Sequence, residues 1–327
     1  MARRSLRHAF AETLVELAAE YPNLVVLEAD LQDSTQSIQF SKVYPDRYLQ
    51  MGVSEQNMMG VAAGLALSGK IPVTHTFACF ASMRACEHVR TSIAYTRANV
   101  KIFVSHAGVS AGSAGTSHHA TEDLAIMRAI ANMSIVAPGD ATEMKQAARA
   151  AIAHIGPVYI RCGAGDAEDV YTDRDVFRFG EATRLREGTD ATIISTGYLM
   201  YEAVCAADLL AKEGTRVRVL QMATVKPLDR EAVLAAASET GRIVTVEEHN
   251  IIGGLGSAVS EVVAQAGIGR VKIMGINDHF CAVGTGAYLL AQEGLTPEGI
   301  AGEVRALLSS SVLPNPARHA GRAAEVR

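Results

Sequence analysis

The feature that most constrains the fold is a regular alternation of short apolar runs with longer helical stretches, which continues along most of the chain. Strands that alternate with helices in this way form parallel sheets covered by helices, so the first half is expected to be one α/β domain. The elements predicted there, in order, are a helix at 6–20, strand NLVVLEAD at 23–30, a helix at 55–68, strand IPVTHTF, a helix at 81–97, strand VKIFVSH, a helix at 122–131, strand MSIVAP, a helix at 140–154 and strand PVYIRCG.

The alternation resumes after an irregular, charged stretch at about 165–189. The glycine loop of this second unit, in HNIIGGLGSAVSEVVAQ, lacks dinucleotide-binding spacing because Val259 stands where the third glycine belongs. We interpret that loop as a tight turn between strand and helix. The chain is therefore predicted to be α/β, with one larger and one smaller parallel-sheet domain. The elements predicted in the second unit are strand DATIISTG, a helix at 199–213, strand RVRVLQM, a helix at 229–240 and strand RIVTVEE.

The composition restricts the class of protein. Hydrophobic residues make up 49% of the 327 residues, which is enough to fill sizeable cores. With a formal net charge of -5 and no basic cluster, nucleic acid is not an expected partner. The cysteines are scattered without a C-x-x-C pair, which indicates a reduced compartment and no zinc site. No apolar run is long enough to cross a bilayer, and Glu12, Glu16 and Glu20 interrupt the uncharged core that a signal peptide needs. We therefore expect a soluble cytoplasmic protein without a membrane partner.

Polar and aromatic residues concentrate where the strands of the first domain are predicted to end. Asp30 ends the first strand, Phe77 and Phe80 follow the second, His106 ends the third and His118 lies in the next loop. Taken singly, the phenylalanines fit a core and the histidines fit hydrogen-bonded loop positions. Ligands bind at the carboxyl edge of open parallel sheets, so their concentration there predicts a binding site. The absence of a G-x-S-x-G elbow and of a P-loop argues against serine hydrolases and phosphate-loop NTPases.

Glu55 is the only charged residue in MGVSEQNMMGVAAGLA, residues 51–66. A carboxylate at the mouth of such an apolar helix is poorly solvated unless another group pairs with it. One interpretation is structural, with Ser54 starting the helix and Glu55 facing the positive end of its dipole. The other is functional, and these residues alone leave both open.

The sequence resembles the C-terminal half of a transketolase in four blocks, which occur in the family's order. They are GVSEQNMMGVAAGLA, THTFACF, SHAGVSAGSAGTSHHATEDLAIMRAI and VEEHNIIGGLGSAV. The resemblance extends from Arg7 to about residue 305. It implies a thiamine-diphosphate pyrimidine-binding domain at 1–168, a linker at 169–189, a transketolase C-terminal domain at 190–310 and a tail at 311–327.

The family holds Mg²⁺ and the cofactor's diphosphate with a G-D-G motif followed by Asn, and here Gly-Asp occurs only at Gly139 and Gly165, in linker-like positions. We expect MARRSLRHAF to be a natural start and the chain to be one subunit of a split transketolase. A separate N-terminal-half subunit would then supply the metal and diphosphate ligands, with no metal held by this chain. Self-association within an α₂β₂ complex is expected, since family members pair their sites two by two.

The resemblance also implies roles for individual residues. Glu55 would share a proton with the N1′ nitrogen of the cofactor's aminopyrimidine, with its proton affinity raised by the apolar helix mouth. Phe77 and Phe80 would flank that ring, and Asp30 would lie near the thiazolium. His106 and His118 would bind sugar hydroxyls and could move protons, with His118 the catalytic one of the two, while Arg7 and Ser34 would hold the distal phosphate of the sugar.

Two positions depart from the family pattern. Ala114 stands where transketolases usually have an aspartate that contacts a sugar hydroxyl, and Ala164 where they usually have an arginine on the substrate phosphate. Loss of a bidentate anion ligand weakens phosphate binding, so an unusual sugar is expected, such as a branched, sulfonated or unphosphorylated one. The alternatives are a 1-deoxyxylulose-5-phosphate synthase, the β chain of a 2-oxoacid dehydrogenase, or a regulatory subunit without catalysis.

Overall fold

Two sheets organise the chain in the computed structural model, which describes residues 3–172 and 175–310. The predicted tail at 311–327 lies outside the described residues. None of the helices in the described ranges has the length and apolar character that crossing a membrane requires. The strands, in chain order, are β1 (Arg3–Ser5), β2 (Leu24–Glu28), β3 (Tyr48–Gln50), β4 (Ile71–Phe77), β5 (Lys101–Ser105), β6 (Ser134–Val136), β7 (Val158–Arg161), β8 (Asp166–Glu168), β9 (Thr183–Arg186), β10 (Ala191–Ser195), β11 (Val217–Gln221), β12 (Thr224–Lys226), β13 (Arg242–Asn250) and β14 (Arg270–Ile276).

The first sheet has seven strands in the order β12-β6-β7-β5-β4-β2-β3. Its central strands β2, β4 and β5 are buried at every position, as expected for parallel strands covered by helices on both faces. All neighbours are parallel except β12 and β6. This edge strand, Thr224–Lys226, comes from the second unit of the sequence, so the two units share a sheet rather than merely touching. The first sheet is thus parallel, as predicted, except at this edge.

The second sheet has five strands in the order β14-β13-β10-β11-β9. Strands β10, β11, β13 and β14 are parallel, and β9 joins β11 antiparallel from within the stretch predicted to be a linker. Strands β1 and β8 form a separate antiparallel pair. An α/β fold with parallel sheets is therefore confirmed, and each of the two larger sheets carries one antiparallel edge strand.

Most predicted helices form close to their predicted bounds. The α-helices are α1 (Leu6–Glu20), α2 (Gln32–Thr35), α3 (Ile38–Val43), α4 (Glu55–Leu67), α5 (Cys86–His88), α6 (Asp123–Ala129), α7 (Ala141–Ala153), α8 (Met200–Lys212), α9 (Arg230–Glu239), α10 (Leu255–Ala266), α11 (Gly286–Gln292) and α12 (Pro297–Ser309).

The helix predicted at 81–97 takes a different form. The chain is π-helical over Phe80–Arg84 and Val89–Ala94, on either side of the short α5. Wide-turn bonds mark both segments, from the Ala85 N–H to the Phe80 carbonyl at 3.1 Å and from the Tyr95 N–H to the Arg90 carbonyl at 2.9 Å. Such turns rotate the following side chains relative to an α-helix, and they occur often at functional sites.

The glycine loop of the second unit is a strand-to-helix turn, as predicted. The carboxylate of Glu247, a residue of β13, accepts the N–H groups of Leu255 and Gly256 at 2.6 and 2.7 Å. A Cβ atom at Gly254 would lie 2.0 Å from that carboxylate, so only glycine fits there. The positive end of α10 is thus occupied by the chain's own carboxylate, which is the position that a nucleotide phosphate takes in dinucleotide-binding folds.

Candidate functional site

The carboxyl edge of the first sheet brings the predicted strand-end residues side by side. Glu28 pairs with His75 across β2 and β4, and Phe77 pairs with Ser105 across β4 and β5. The residues that follow these strands therefore emerge at one edge. Asp30 and His106 both have positive φ, 65° and 57°, an uncommon conformation for residues with a side chain, and often a mark of functional positions.

Four of the predicted residues form one aromatic cluster. The Phe77 ring lies 5.9 Å from the Phe80 ring and 3.9 Å from the His106 ring, both stacked. His118 meets both phenylalanines edge-on, with ring centroids 5.4 Å from Phe80 and 6.0 Å from Phe77. Ser105 and Ser117 each place a hydroxyl oxygen 2.9 Å from Nδ1 of the histidine that follows. The cluster offers flat apolar surface beside two imidazoles.

Glu55 opens α4 and is only 1% exposed. Its Oε2 accepts a hydrogen bond from Arg84 Nη1 at 2.8 Å, and the Arg84 guanidinium lies 4.2 Å from the centre of the Phe80 ring. Arg84 therefore links the buried carboxylate to the aromatic cluster. Ser54 does not cap the helix with its side chain, because its hydroxyl donates to the Met51 carbonyl at 2.8 Å instead.

Arg84 is the site residue that sequence reasoning missed. The pairing joins residues 29 apart in sequence. The only local signal is the F-A-S-M-R run, in which Arg84 follows Phe80 by four residues. Arg84 is thus the group that pairs with the Glu55 carboxylate in its apolar surroundings. The other oxygen of Glu55, Oε1, makes no hydrogen bond within residues 3–172 and 175–310.

Arg7 and Ser34 lie beside the histidine side of the cluster. Arg7 Nη1 donates to the Ser34 carbonyl at 2.7 Å, and Arg7 Nε is buried without a hydrogen-bond partner among the described residues. Burial lowers the pKa of His106 to about 4, and the nearby positive charge of Arg7 lowers it further. His106 is therefore neutral at pH 7, able to donate one hydrogen bond and accept another.

Asp30 reaches the same edge but stays apart from the cluster. Its N–H donates to Gln50 Oε1 at 2.9 Å, and its carboxylate makes no hydrogen bond or ion pair within the described part of the chain. The exposed carboxylate leaves room for a ligand at the end of β2.

The two alanines that depart from the family pattern lie in the surrounding loops. Ala114 is exposed at the end of a 3₁₀ turn, and the Ala164 N–H donates to Ser110 Oγ at 2.9 Å. The nearby Arg161 does not replace the missing arginine. Its Nε donates to Asp123 Oδ2 at 2.8 Å and its Nη2 to the Glu248 carbonyl at 2.9 Å, in a buried arrangement that joins the two units. The Arg161 guanidinium is therefore occupied by hydrogen bonds within the chain.

Comparisons with known proteins agree over nearly the whole chain. Residues 2–167 match the family described as transketolase, pyrimidine binding domain, and residues 180–300 match the family described as transketolase, C-terminal domain. A putative transketolase C-terminal section of Methanocaldococcus jannaschii is 44% identical, covering 91% of this chain and 94% of that protein.

Two further relatives are named as transketolase subunits. A 6-deoxy-6-sulfo-D-fructose transketolase subunit of a Clostridium species is 42% identical over 90% of this chain and 92% of its own length. An apulose-4-phosphate transketolase subunit of Phocaeicola vulgatus is 39% identical over 90% of this chain and 94% of its own length. Among solved structures, the inactive β4 tetramer of a split gene transketolase superposes with a TM-score of 0.87 at 44% identity, covering 93% of this chain and 98% of that one.

Proposed function

This chain belongs to the transketolase family, and from that premise we propose that it is the C-terminal-half subunit of a two-chain transketolase. The complex would transfer a two-carbon ketol unit from a ketose to an aldose acceptor, using thiamine diphosphate. The observation that carries the proposal is the buried Glu55 carboxylate at the start of α4, joined through Arg84 to the Phe77–Phe80 cluster.

The residues of this chain fit the pyrimidine half of that cofactor. Phe77 and Phe80 supply stacking surface for a flat heteroaromatic ring and keep water from it. One oxygen of Glu55 accepts a hydrogen bond from Arg84, and the other is left to carry the proton that the carboxyl group would share with a ring nitrogen. Because the sequence carries no G-D-G motif with a following Asn, we assign the Mg²⁺ and diphosphate ligands to an N-terminal-half partner.

In the proposed ketol transfer, the side chains of this chain would orient the reactants and transfer protons. When bound, thiamine diphosphate would supply a nucleophilic carbon, formed by deprotonation of its thiazolium ring, and an electron sink for C–C bond cleavage. Glu55 holds the proton that the aminopyrimidine exchanges, and Arg84 fixes the orientation of its carboxylate. Neutral His106 would orient sugar hydroxyls, His118 would transfer protons to and from them, and Asp30 would lie near the thiazolium end of the bound cofactor.

The tail of the sugar is the second part of the proposal. The positive charge of Arg7 acts on His106, and the buried Nε of Arg7 has no partner among the described residues, so Arg7 would bind an anionic tail together with Ser34. With Ala164 in place of an arginine and Arg161 paired to Asp123, fewer cations face that tail than the family pattern provides. The relatives named for a sulfonated and a branched ketose support a donor of that kind.

The test is reconstitution with an N-terminal-half transketolase chain from the same source. We expect ketol transfer only when both chains, thiamine diphosphate and Mg²⁺ are present, with a sulfonated, branched or unphosphorylated ketose preferred over xylulose 5-phosphate. Absence of transfer from every ketose by a stable complex would overturn the ketol-transfer proposal. A condensation of pyruvate with glyceraldehyde 3-phosphate would favour the 1-deoxyxylulose-5-phosphate synthase alternative.

In the same complex, Glu55→Gln keeps the shape of the side chain and removes its titratable proton. We expect kcat to fall by at least about 100-fold, the usual contribution of a general acid–base group. Glu87→Gln is the matched control, because Glu87 is 70% exposed and its loss changes the charge equally. Near-normal turnover of Glu55→Gln, with complex formation intact by light scattering, would refute the role assigned to Glu55.

A further inference from the structure

Three side chains that could bind a metal ion lie together near α11, and none of them has a role in the proposed ketol transfer. His279, Cys281 and Glu293 each offer one ligand atom, and the three atoms all lie within 4.8 Å of one another. His279 and Cys281 come from the loop between β14 and α11, and Glu293 directly follows α11. The absence of a C-x-x-C pair predicted no zinc site, but it gives no information on this group, whose third member is distant in sequence.

The carboxylate is held in place before any ligand binds. Glu293 Oε2 accepts hydrogen bonds from the backbone N–H and the side-chain Nδ2 of Asn277, both at 3.2 Å. Its Oε1 faces His279 Nε2 at 2.8 Å, and its side chain is only 7% exposed. Outer hydrogen bonds of this kind orient the carboxylates that bind metals.

The Cys281 thiol is buried close to this carboxylate, whereas His279 is open to solvent. Cys281 is 8% exposed, and its sulfur lies within 4.8 Å of the ligand atoms of His279 and Glu293. The His279 side chain is half exposed, which leaves a path from solvent to the group.

We propose that His279, Cys281 and Glu293 bind one zinc ion, with water in the fourth position. Sulfur, imidazole nitrogen and carboxylate oxygen together suit Zn²⁺, whereas Mg²⁺ and Ca²⁺ prefer oxygen ligands alone. Tetrahedral coordination at about 2.0–2.3 Å needs ligand atoms somewhat closer than 4.8 Å, which requires only small side-chain shifts.

The ion would fix a loop that supports the candidate active site. The Cys281 carbonyl accepts a hydrogen bond from Thr116 Oγ1 at 3.2 Å. A Cβ atom at Gly115 would lie 3.1 Å from Val283 Cγ2, and one at Gly112 would lie 3.1 Å from the Gly284 carbonyl oxygen. The metal-binding loop therefore packs against the segment that leads to His118, and zinc would act there as a structural clamp.

The test uses the full chain alone, without a polyhistidine tag, thiamine diphosphate or partner, so its outcome is independent of the proposed enzymatic function. Zinc affinity is measured by competition with a chromophoric chelator, and Co²⁺ is added separately to look for a thiolate-to-metal absorption band. We expect one zinc per chain and a cobalt band in the near ultraviolet. Failure to bind zinc stoichiometrically at micromolar concentration would overturn the proposal.

Variants locate the site. Cys281→Ser should remove the cobalt band, and His279→Gln, which alters a half-exposed side chain and preserves the fold, should weaken zinc binding at least about 100-fold. Cys205→Ser is the matched control, since Cys205 is a partly buried free cysteine on α8. Zinc affinity that is unchanged in both Cys281→Ser and His279→Gln would show that the metal binds elsewhere and would contradict the assignment.

Discussion

At the scale of single residues, the candidate site combines features that sequence can and cannot predict. Glu55 was identifiable because it is an isolated charge in an apolar run, and the aromatic cluster because its members follow strand ends. Arg84 was not, because its position over Phe80 depends on the wide turn at Phe80–Arg84. The roles of these residues remain proposals, whereas their proximity is a property of the fold.

A buried histidine away from the site carries a consequence for stability. His75, on β4, packs against the stacked rings of Phe10 and Phe103, and neither of its ring nitrogens has a hydrogen-bond partner among the described residues. Burial lowers its pKa to about 3, well below the usual value of 6.5. The unfolded chain therefore binds a proton that the folded chain excludes, so stability is lost as the pH falls below about 6.5.

We predict that His75→Leu removes part of this pH dependence. Between pH 7 and pH 5 the free energy of unfolding of the wild-type chain should fall by about 2 kcal/mol more than that of the variant. Urea unfolding at fixed chain concentration measures both. Replacement of the exposed His8 by Leu controls for loss of a histidine, and equal pH dependence in wild type and His75→Leu would contradict the prediction.

At the scale of elements, the sequence predicts those whose apolar pattern is local. Helix α1 and strands β2, β4 and β5 lie close to their predicted bounds because each carries a complete buried face or run. Strand β12 could not be predicted, since it is three residues long and gains its partner β6 only when the two units meet. The π-helical segments were missed because wide turns leave no distinct periodicity in so short a stretch.

Helix α7 depends on an aspartate that serves two segments. Asp140 Oδ1 accepts the Glu143 N–H at 2.8 Å and caps the helix, while Oδ2 accepts the N–H groups of Val170 and Tyr171 at 2.8 and 2.6 Å. Its side chain is fully buried. Loss of this carboxylate would remove the N-terminal cap of α7 and leave the N–H groups of Val170 and Tyr171 without an acceptor.

We predict that Asp140→Ala lowers the free energy of unfolding by about 2–4 kcal/mol, combining a lost cap with unsatisfied buried N–H groups. Thr296→Ala is the comparison, because Thr296 caps α12 through the Gly299 N–H alone and its loss should cost about 1 kcal/mol. Urea denaturation with an unchanged m value measures both. If the two substitutions cost the same, the second role of Asp140 is not supported.

At the scale of the whole molecule, an apolar groove is left on the surface beside the π-helical segment. It measures about 860 Å³ and is lined by residues that include Tyr95, Ile126 and Ile130. Tyr95 is 82% exposed at its rim. Large exposed apolar surfaces on a folded chain usually mark interaction sites. Self-association was expected from the family resemblance, and this groove is the surface where we expect copies of the chain to meet.

We predict that Tyr95→Asp weakens self-association, because it places a charge where apolar surface would be buried between copies. Ile155→Asp is the matched control, since Ile155 is 87% exposed in the turn between α7 and β7, away from the groove lining. Sedimentation velocity at several chain concentrations should show a smaller assembly for Tyr95→Asp and an unchanged one for Ile155→Asp. Since each charge costs little on an exposed monomer surface, the two variants should unfold at similar urea concentrations. Equal assembly in both would mean that the copies associate through another face.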